Sequence, residues 1–334
     1  MVTYLDSIRR GLHAAMAADE KVYLIGEDLL DPYGGAFKVS KGLSTEFPGR
    51  VLATPISESA ITGTATGMAM RGFRPVVEIM FGDFLTLCTD ALVNSATKFP
   101  LMYRDKVRVP LVIRTPMGGG RGYGPTHSQS LEKMFLAVPG LTVLSPSLAH
   151  DPGSLLERAI LETERPILFI EYKSLYPKRL LDNGDGLWAH ELEGKDGYPL
   201  AMVENFVDSS PDVEVIAYGG ASEQLFDAMR SLIPEEIKVR GFLPSRIDGD
   251  TDALWWLSEL TGKVPIIVAE HGTSGFNWGS EIAAQIHEVL HGRLALPVKR
   301  LASANDVVPA DRALERKLLF NEEQLIKSIF ESIQ

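Results

Sequence analysis

Acids and histidines recur in this sequence at spacings that suit ligand binding, zinc-assisted hydrolysis and calcium binding, and each has a plainer structural reading. Glu58 ends the run Thr54-Pro-Ile-Ser-Glu58. Apolar Val51-Leu52-Ala53 precedes it, and Ala60, Gly63, Ala65, Gly67 and Ala69 follow, up to Gly72. The pattern predicts a strand, a turn set by Pro55 and a tightly packed helix capped by Ser57. One carboxylate then sits in the first turn of a helix at a strand-to-helix junction, where α/β sheets keep their ligands. The plainer reading is an acid that only complements the helix dipole.

His127 closes the stretch Gly118-Gly-Gly-Arg-Gly-Tyr-Gly-Pro-Thr-His and is expected to open a helix. Those glycines match neither a Walker loop nor a dinucleotide fingerprint, so the histidine is either a site residue or a simple first-turn residue. His287-Glu-Val-Leu-His291 is a literal HExxH, the helical spacing that offers two imidazoles to zinc with a glutamate as base. Gly292 follows at once, and Leu294 and Pro297 stand where an extended motif needs Gly and His. A third ligand would have to come from a distant acid such as Glu315, so a zinc peptidase at 287–291 is disfavoured. Asp248-Gly-Asp250-Thr-Asp252 with Glu259 mimics a calcium loop, but Ala253 occupies the place of the turn glycine. Asp252 is expected instead to cap a helix carrying Trp255 and Trp256. Phe84 begins a helix after a strand that ends at Met80, and from the pattern alone it reads as core.

The elements that must position these residues follow from periodicity. After a first helix from Thr3, apolar runs predict strands over 21–26, 51–53, 75–80, 110–114, 142–145 and 166–171. Helices are expected between them, over 38–47, from Glu58 to Gly72, and over 84–99, 127–138 and 155–163. Repeated βα units with nearly all-apolar strands imply a mainly parallel sheet covered on both faces. The periodicity lapses between 175 and 199, and a second, shorter α/β series follows to 333.

A chain of 334 residues has room for two domains with separate cores. Its 45% hydrophobic and 23% charged residues are ordinary for a soluble globular protein. A formal charge of −11 disfavours nucleic acid or an anionic membrane as partner. Cys88 is the only cysteine, which suits a reducing compartment. No apolar run reaches spanning length and no signal-peptide pattern is seen, so a cytoplasmic location is expected.

Thr54-Pro-Ile-Ser-Glu58 is preceded by Gly35-Ala-Phe-Lys-Val-Ser-Lys-Gly42 and followed by Arg74-Pro-Val-Val-Glu-Ile-Met-Phe-Gly-Asp-Phe84. Together they closely resemble the β subunit of thiamine-diphosphate-dependent 2-oxo-acid dehydrogenases (pyruvate, branched-chain and acetoin types) in the transketolase-like superfamily. The likeness is strong to about residue 181 and looser beyond. It implies an α/β fold of two domains, each a mainly parallel sheet with helices on both faces. A pyrimidine-binding domain would span 1–181, a linker 182–205, and a transketolase C-terminal-like domain 206–334.

The resemblance also implies that Glu58 shares a proton with the pyrimidine ring of thiamine diphosphate. Ile56, Met80 and Phe84 would lie against that ring, with Phe84 stacking on it. His127, in a loop ending His127-Ser128-Gln129, would handle protons as the acyl group leaves for lipoamide. The implied activity is oxidative decarboxylation of a 2-oxo acid with acyl transfer to lipoamide. Gly184-Asp185-Gly186 follows no apolar strand and so is not the family's magnesium and diphosphate motif. Magnesium and the diphosphate would then be held by an α-type partner subunit in an α2β2 enzyme, and a lipoyl acyltransferase is a candidate further partner. The chain departs from the family at Glu270-His271-Gly272, at Asp90-Ala91 and over the potassium segment 159–164. Acyltransferase docking and the cation site therefore stay open. So do a transketolase-like carboligating half-enzyme and a non-catalytic scaffold paralogue.

Overall fold

The computed structural model describes residues 2–184, 186–194 and 196–334. In the first half, β1 (Val22–Gly26), β2 (Val51–Ala53), β3 (Arg74–Glu78), β4 (Val112–Met117), β5 (Thr142–Leu144) and β6 (Ile167–Tyr172) form one sheet. Its order is β2-β1-β3-β4-β6-β5 and every pairing is parallel. All residues of β4 and β6 are buried, so both faces of the sheet are covered there. The helices of this half are α1 (Tyr4–Ala18), α2 (Leu43–Glu46), α3 (Glu58–Met70), α4 (Leu85–Asp90), α5 (Phe99–Met102) and α6 (Pro152–Glu162). α1 and α6 cross at Gly11 and Gly153. A Cβ on either glycine would lie 2.0 Å from a carbonyl oxygen of the other helix, so only glycine permits this approach.

Within the sheet, Arg114 of β4 makes a bidentate pair with Glu171 of β6, both bonds at 2.7 Å, and a further ion pair with Glu78 of β3. The Tyr176 hydroxyl donates to Glu171 at 2.6 Å. Burial pushes the Glu78 carboxyl up while Arg114 pulls it down. This charged knot joins three neighbouring strands and leaves its acids balanced by a cation.

In the second half, β7 (Trp188–Leu192), β8 (Leu200–Glu204), β9 (Val213–Ala217), β10 (Val239–Pro244), β11 (Ile266–Thr273) and β12 (Lys299–Ser303) are ordered β12-β11-β9-β10-β8-β7. Pairing is parallel from β12 to β10, and antiparallel for β8 on β10 and β7 on β8. Helices α7 (Ala221–Leu232), α8 (Trp278–Val289), α9 (Arg312–Leu318) and α10 (Glu322–Ile333) complete the chain. Both halves are thus α/β with a mainly parallel sheet. Among the described residues no helix is long and apolar enough to cross a membrane.

Several expectations are corrected. The stretch 182–205, expected as a linker, supplies β7 and β8. β7 is a mostly exposed edge strand, so its sequence shows no apolar run, while β8 is buried against β10. The rejected Gly-Asp-Gly run includes Asp185, which lies outside the described residues. The helix expected over 38–47 shrinks to α2, because Lys38 takes a left-handed φ of 66°. The helix expected over 84–99 forms with a changing hydrogen-bond register: a 3-10 turn at Gly82–Phe84 leads into α4, a π-helical segment at Ala91–Ala96 and, after Thr97 and Lys98, α5. No helix opens at His127, since the Gln129 N–H donates to Asp83 and the Gln129 carbonyl accepts from Gly118; a short 3-10 turn at Glu132–Met134 is all that forms. Asp250, rather than Asp252, caps the segment carrying the two tryptophans.

Candidate active site

In a parallel sheet, the exits of all strands share one edge, and the residues that follow them meet there. Glu27 follows β1, Thr54 to Ser57 follow β2, Met80 to Phe84 follow β3, Gly118 follows β4 and Lys173 follows β6. α3 starts at Glu58 with Ser57 as N-cap, but the Ser57 side chain makes no capping bond. Its backbone N–H faces Glu27 at the end of β1 and pulls that carboxyl down.

Glu58 is buried, at 6% exposure. Its backbone carbonyl accepts from Thr62 Oγ1 at 2.8 Å and from the Cys88 thiol at 3.8 Å, and among the described residues no hydrogen bond reaches its carboxylate. The same thiol lies 3.8 Å from the Phe84 carbonyl, so Cys88 links the first turn of α3 to Phe84. Burial first, then the neighbouring Glu58 and Asp28, hold the Glu27 carboxyl above the usual carboxylate range. One oxygen of Glu27 is buried without a partner.

Beside this pair stands a group of rings. The His127 imidazole meets Phe81 edge-on at 4.6 Å and Phe84 at 5.3 Å between centroids, and Phe37 packs on Phe81 at 5.5 Å. Lys173 is fully buried. Its ammonium donates to the His127 carbonyl at 3.0 Å and lies 5.2 Å from the Phe81 ring centroid. Burial pulls Lys173 down to about 8, against the opposing pull of Asp83 and Glu315. Asp83 accepts from Gln129 Nε2 at 2.8 Å, anchoring the chain just past His127.

The structure therefore brings Glu58, Phe84 and His127 into one neighbourhood. Met80 is half-buried on the segment leading to Phe84, while Ile56 is 83% exposed and stands outside the ring group. Sequence reading missed Glu27, Phe81, Asp83 and Lys173. The strand-edge rule applied to every strand exit would have found them, because each directly follows β1, β3 or β6 within a few residues.

The arrangement suits one half of a thiamine cofactor. A carboxylate lacking a protein partner on a largely buried residue, next to flat apolar rings, matches a planar heteroaromatic base with a ring nitrogen. Glu58 would hold that nitrogen and Phe84 the ring face. Among the described residues no group of three or more His, Cys, Asp or Glu could hold a metal ion. The HExxH pair is split: α8 ends at Val289, so His291 lies beyond it, and His287 Nδ1 is 2.6 Å from its own helix at the Ala283 carbonyl. Asp248 and Asp250 both pair with Arg246, at 2.8 and 3.0 Å.

Residues 1–179 match the transketolase pyrimidine-binding domain. The chain is 32% identical over 319 residues to the β subunit of the acetoin:2,6-dichlorophenolindophenol oxidoreductase of Cupriavidus necator, covering 92% of this chain and 90% of that one. It is 33% identical over 332 residues to the pyruvate dehydrogenase E1 β subunit of Leifsonia xyli, covering 93% and 92%. To the 2-oxoisovalerate dehydrogenase β subunit of Bacillus subtilis it is 32% identical over 329 residues, covering 97% and 96%. In fold, a split-gene transketolase solved as an inactive β4 tetramer aligns with 99% of this chain and 98% of its own, with a TM-score of 0.70 at 17% identity. Sequence and fold agree: the chain belongs to the transketolase-like β subunits of thiamine-diphosphate-dependent 2-oxo-acid dehydrogenases.

Proposed function

We propose that this chain is the pyrimidine-side half of an enzyme that decarboxylates a 2-oxo acid oxidatively and passes the acyl unit to lipoamide on another protein. The observation that carries the reading is Glu58, a buried carboxylate without a hydrogen-bond partner among the described residues, at the ligand edge of a parallel sheet and linked through Cys88 to Phe84. When bound, thiamine diphosphate supplies a carbon nucleophile and an electron sink for loss of carbon dioxide. Glu58 holds a proton at the pyrimidine ring nitrogen, and Phe84 and Met80 offer the ring an apolar surface. Glu27, held above the usual carboxylate range, keeps a proton beside Glu58 so that the two acids need not both be charged. His127, fixed edge-on by Phe81 and Phe84, exchanges protons at its imidazole as the acyl group leaves.

An α-type partner completes the site in this reading, supplying magnesium and the diphosphate contacts in an α2β2 assembly. Ile56, Leu87, Leu101 and Met102 support it: all four are large, apolar and more than half exposed, on segments leading away from the site. A cytoplasmic location is part of the same proposal and rests on the lone cysteine of the sequence.

The test is co-expression with an α-type subunit, then assay of pyruvate and 2-oxoisovalerate, with acetoin, which has no carboxylate to lose, as the contrasting substrate, using 2,6-dichlorophenolindophenol and lipoamide as acceptors. Turnover of one of the two 2-oxo acids with thiamine diphosphate is expected, and His127→Ala should slow lipoamide transfer more than dye-coupled decarboxylation. Carboligation products without acyl transfer, or no thiamine-dependent turnover, would overturn the reading.

A further inference from the structure

The loop that carries His127 is poorly able to hold itself. Gly118, Gly119, Gly120, Gly122 and Gly124 have no side chains to pack, and four of them sit at left-handed φ values between 71° and 91°. A cavity of about 350 Å³ lies between Pro125 and Gln129 on this segment and Ser303 and Val308 of the second half, which leaves room for movement.

Glu315 grips this loop from the other half of the chain. Its side chain is fully buried on α9, and its two carboxylate oxygens accept from the backbone N–H groups of Gly120 at 2.9 Å and Gly122 at 2.8 Å. Successive main-chain donors converging on one anion form the concavity that backbone nests use for carboxylates and phosphates. A Cβ on Gly119 would stand 2.8 Å from a Glu315 oxygen, so glycine is needed for the approach. Arg312 on the same helix adds a bond from Nε to the Arg121 carbonyl at 3.2 Å. The Lys173 ammonium, drawn on by Glu315 and Asp83, holds the far end of the loop at the His127 carbonyl.

We propose that Glu315 is a positioning residue for His127: α9 clamps the glycine-rich loop and thereby sets where the imidazole stands against Phe81 and Phe84. The proposal rests on the role given to His127 above. It assigns the second half of the chain a direct part in the acyl-transfer step.

The test uses the enzyme assembled with its α-type partner and whichever of the two 2-oxo acids it turns over. Glu315→Gln keeps the size but has one acceptor oxygen, so one N–H bond is lost and an amide N–H faces the other donor. The ratio of lipoamide transfer to dye-coupled decarboxylation should fall on the order of tenfold, the scale of a small misplacement of a reacting group. In a His127→Ala background the same substitution should cost nothing further, since both act through one imidazole. Trypsin should also cut faster after Arg121 in Glu315→Gln.

Arg312→Ala changes an exposed residue and should move the ratio and the cleavage rate in the same direction, which keeps the test valid if Glu315→Gln fails to assemble. An unchanged ratio in Glu315→Gln, a full additional loss on His127→Ala, or an Arg312→Ala variant unchanged in both readouts would overturn the clamp while leaving the His127 reading intact. A His127→Ala variant that spares transfer would overturn both.

Discussion

At the scale of single residues, the site depends on a carboxylate that the protein itself does not satisfy. Glu58 is buried, its carboxylate finds no hydrogen-bond donor among the described residues, and it helps to lift the Glu27 carboxyl above its ordinary range. A carboxylate left without a protein donor at a sheet's ligand edge is open to a ligand. Glu58→Gln in the assembled enzyme should therefore lower decarboxylation by at least about a hundredfold, the usual scale for losing proton-transfer catalysis. The same change should leave the melting temperature close to that of the parent, because Gln keeps the size and the Glu58 carboxylate has no hydrogen bond among the described residues to lose. Activity within a few-fold of the parent, measured as carbon dioxide release, would remove Glu58 from the chemistry.

At the scale of elements, the two halves are joined by a second buried acid pair that the catalytic reading does not use. Glu132, in the 3-10 turn following the His127 loop, accepts from Tyr172 at the end of β6 at 2.9 Å and from Tyr218 just past β9 at 2.5 Å. Glu270 on β11 lies 3.4 Å from the same Tyr218 hydroxyl and accepts from the Gly279 N–H in α8 at 2.7 Å. Burial, aided by Glu132, pushes Glu270 up to about 8, although the Gly279 and Tyr218 bonds and Lys133 oppose it. A raised carboxyl binds its proton more tightly in the folded chain than in the unfolded one. The stability it carries is then complete below the ordinary carboxylate range and is lost as pH rises through about 8. Glu270→Gln should flatten the fall in melting temperature between about pH 5 and 8.5 relative to the parent. Parallel curves for the two proteins would show that Glu270 does not titrate in this window.

At the scale of the whole molecule, the chain builds an aromatic and carboxylate half-site and leaves large apolar side chains exposed just ahead of α3 and on α4 and α5. Ile56 is 83% exposed and Leu101 77%. Covering such a surface with an α-type subunit would make assembly and cofactor binding reinforce each other. Calorimetry should find weak or no binding of thiamine diphosphate with magnesium to the isolated chain, and tight binding once the partner is present. Tight binding and turnover by the isolated chain would rule out the divided site. The reading also expects Ile56 to be among the residues protected from solvent on assembly.

What the sequence determined by itself was the local part of the architecture. Strands buried on both faces are short apolar runs whatever surrounds them, so β3, β4 and β6 were legible. Glu58 was legible at a helix start because strand, turn and helix lie within twenty residues of sequence. Where polar contacts decide the backbone, that legibility ended. β7 is exposed and could be recognised only from its pairing with β8, and the chain after His127 forgoes a helix because Asp83 and Gly118 take up the Gln129 backbone. Glu315 is the extreme case: its partners Gly120 and Gly122 are 195 and 193 residues away, so nothing near it in sequence marks it. A hydrogen bond between distant backbone and side chain leaves no periodic trace, and only the packing of the two halves brings its donor and acceptor together.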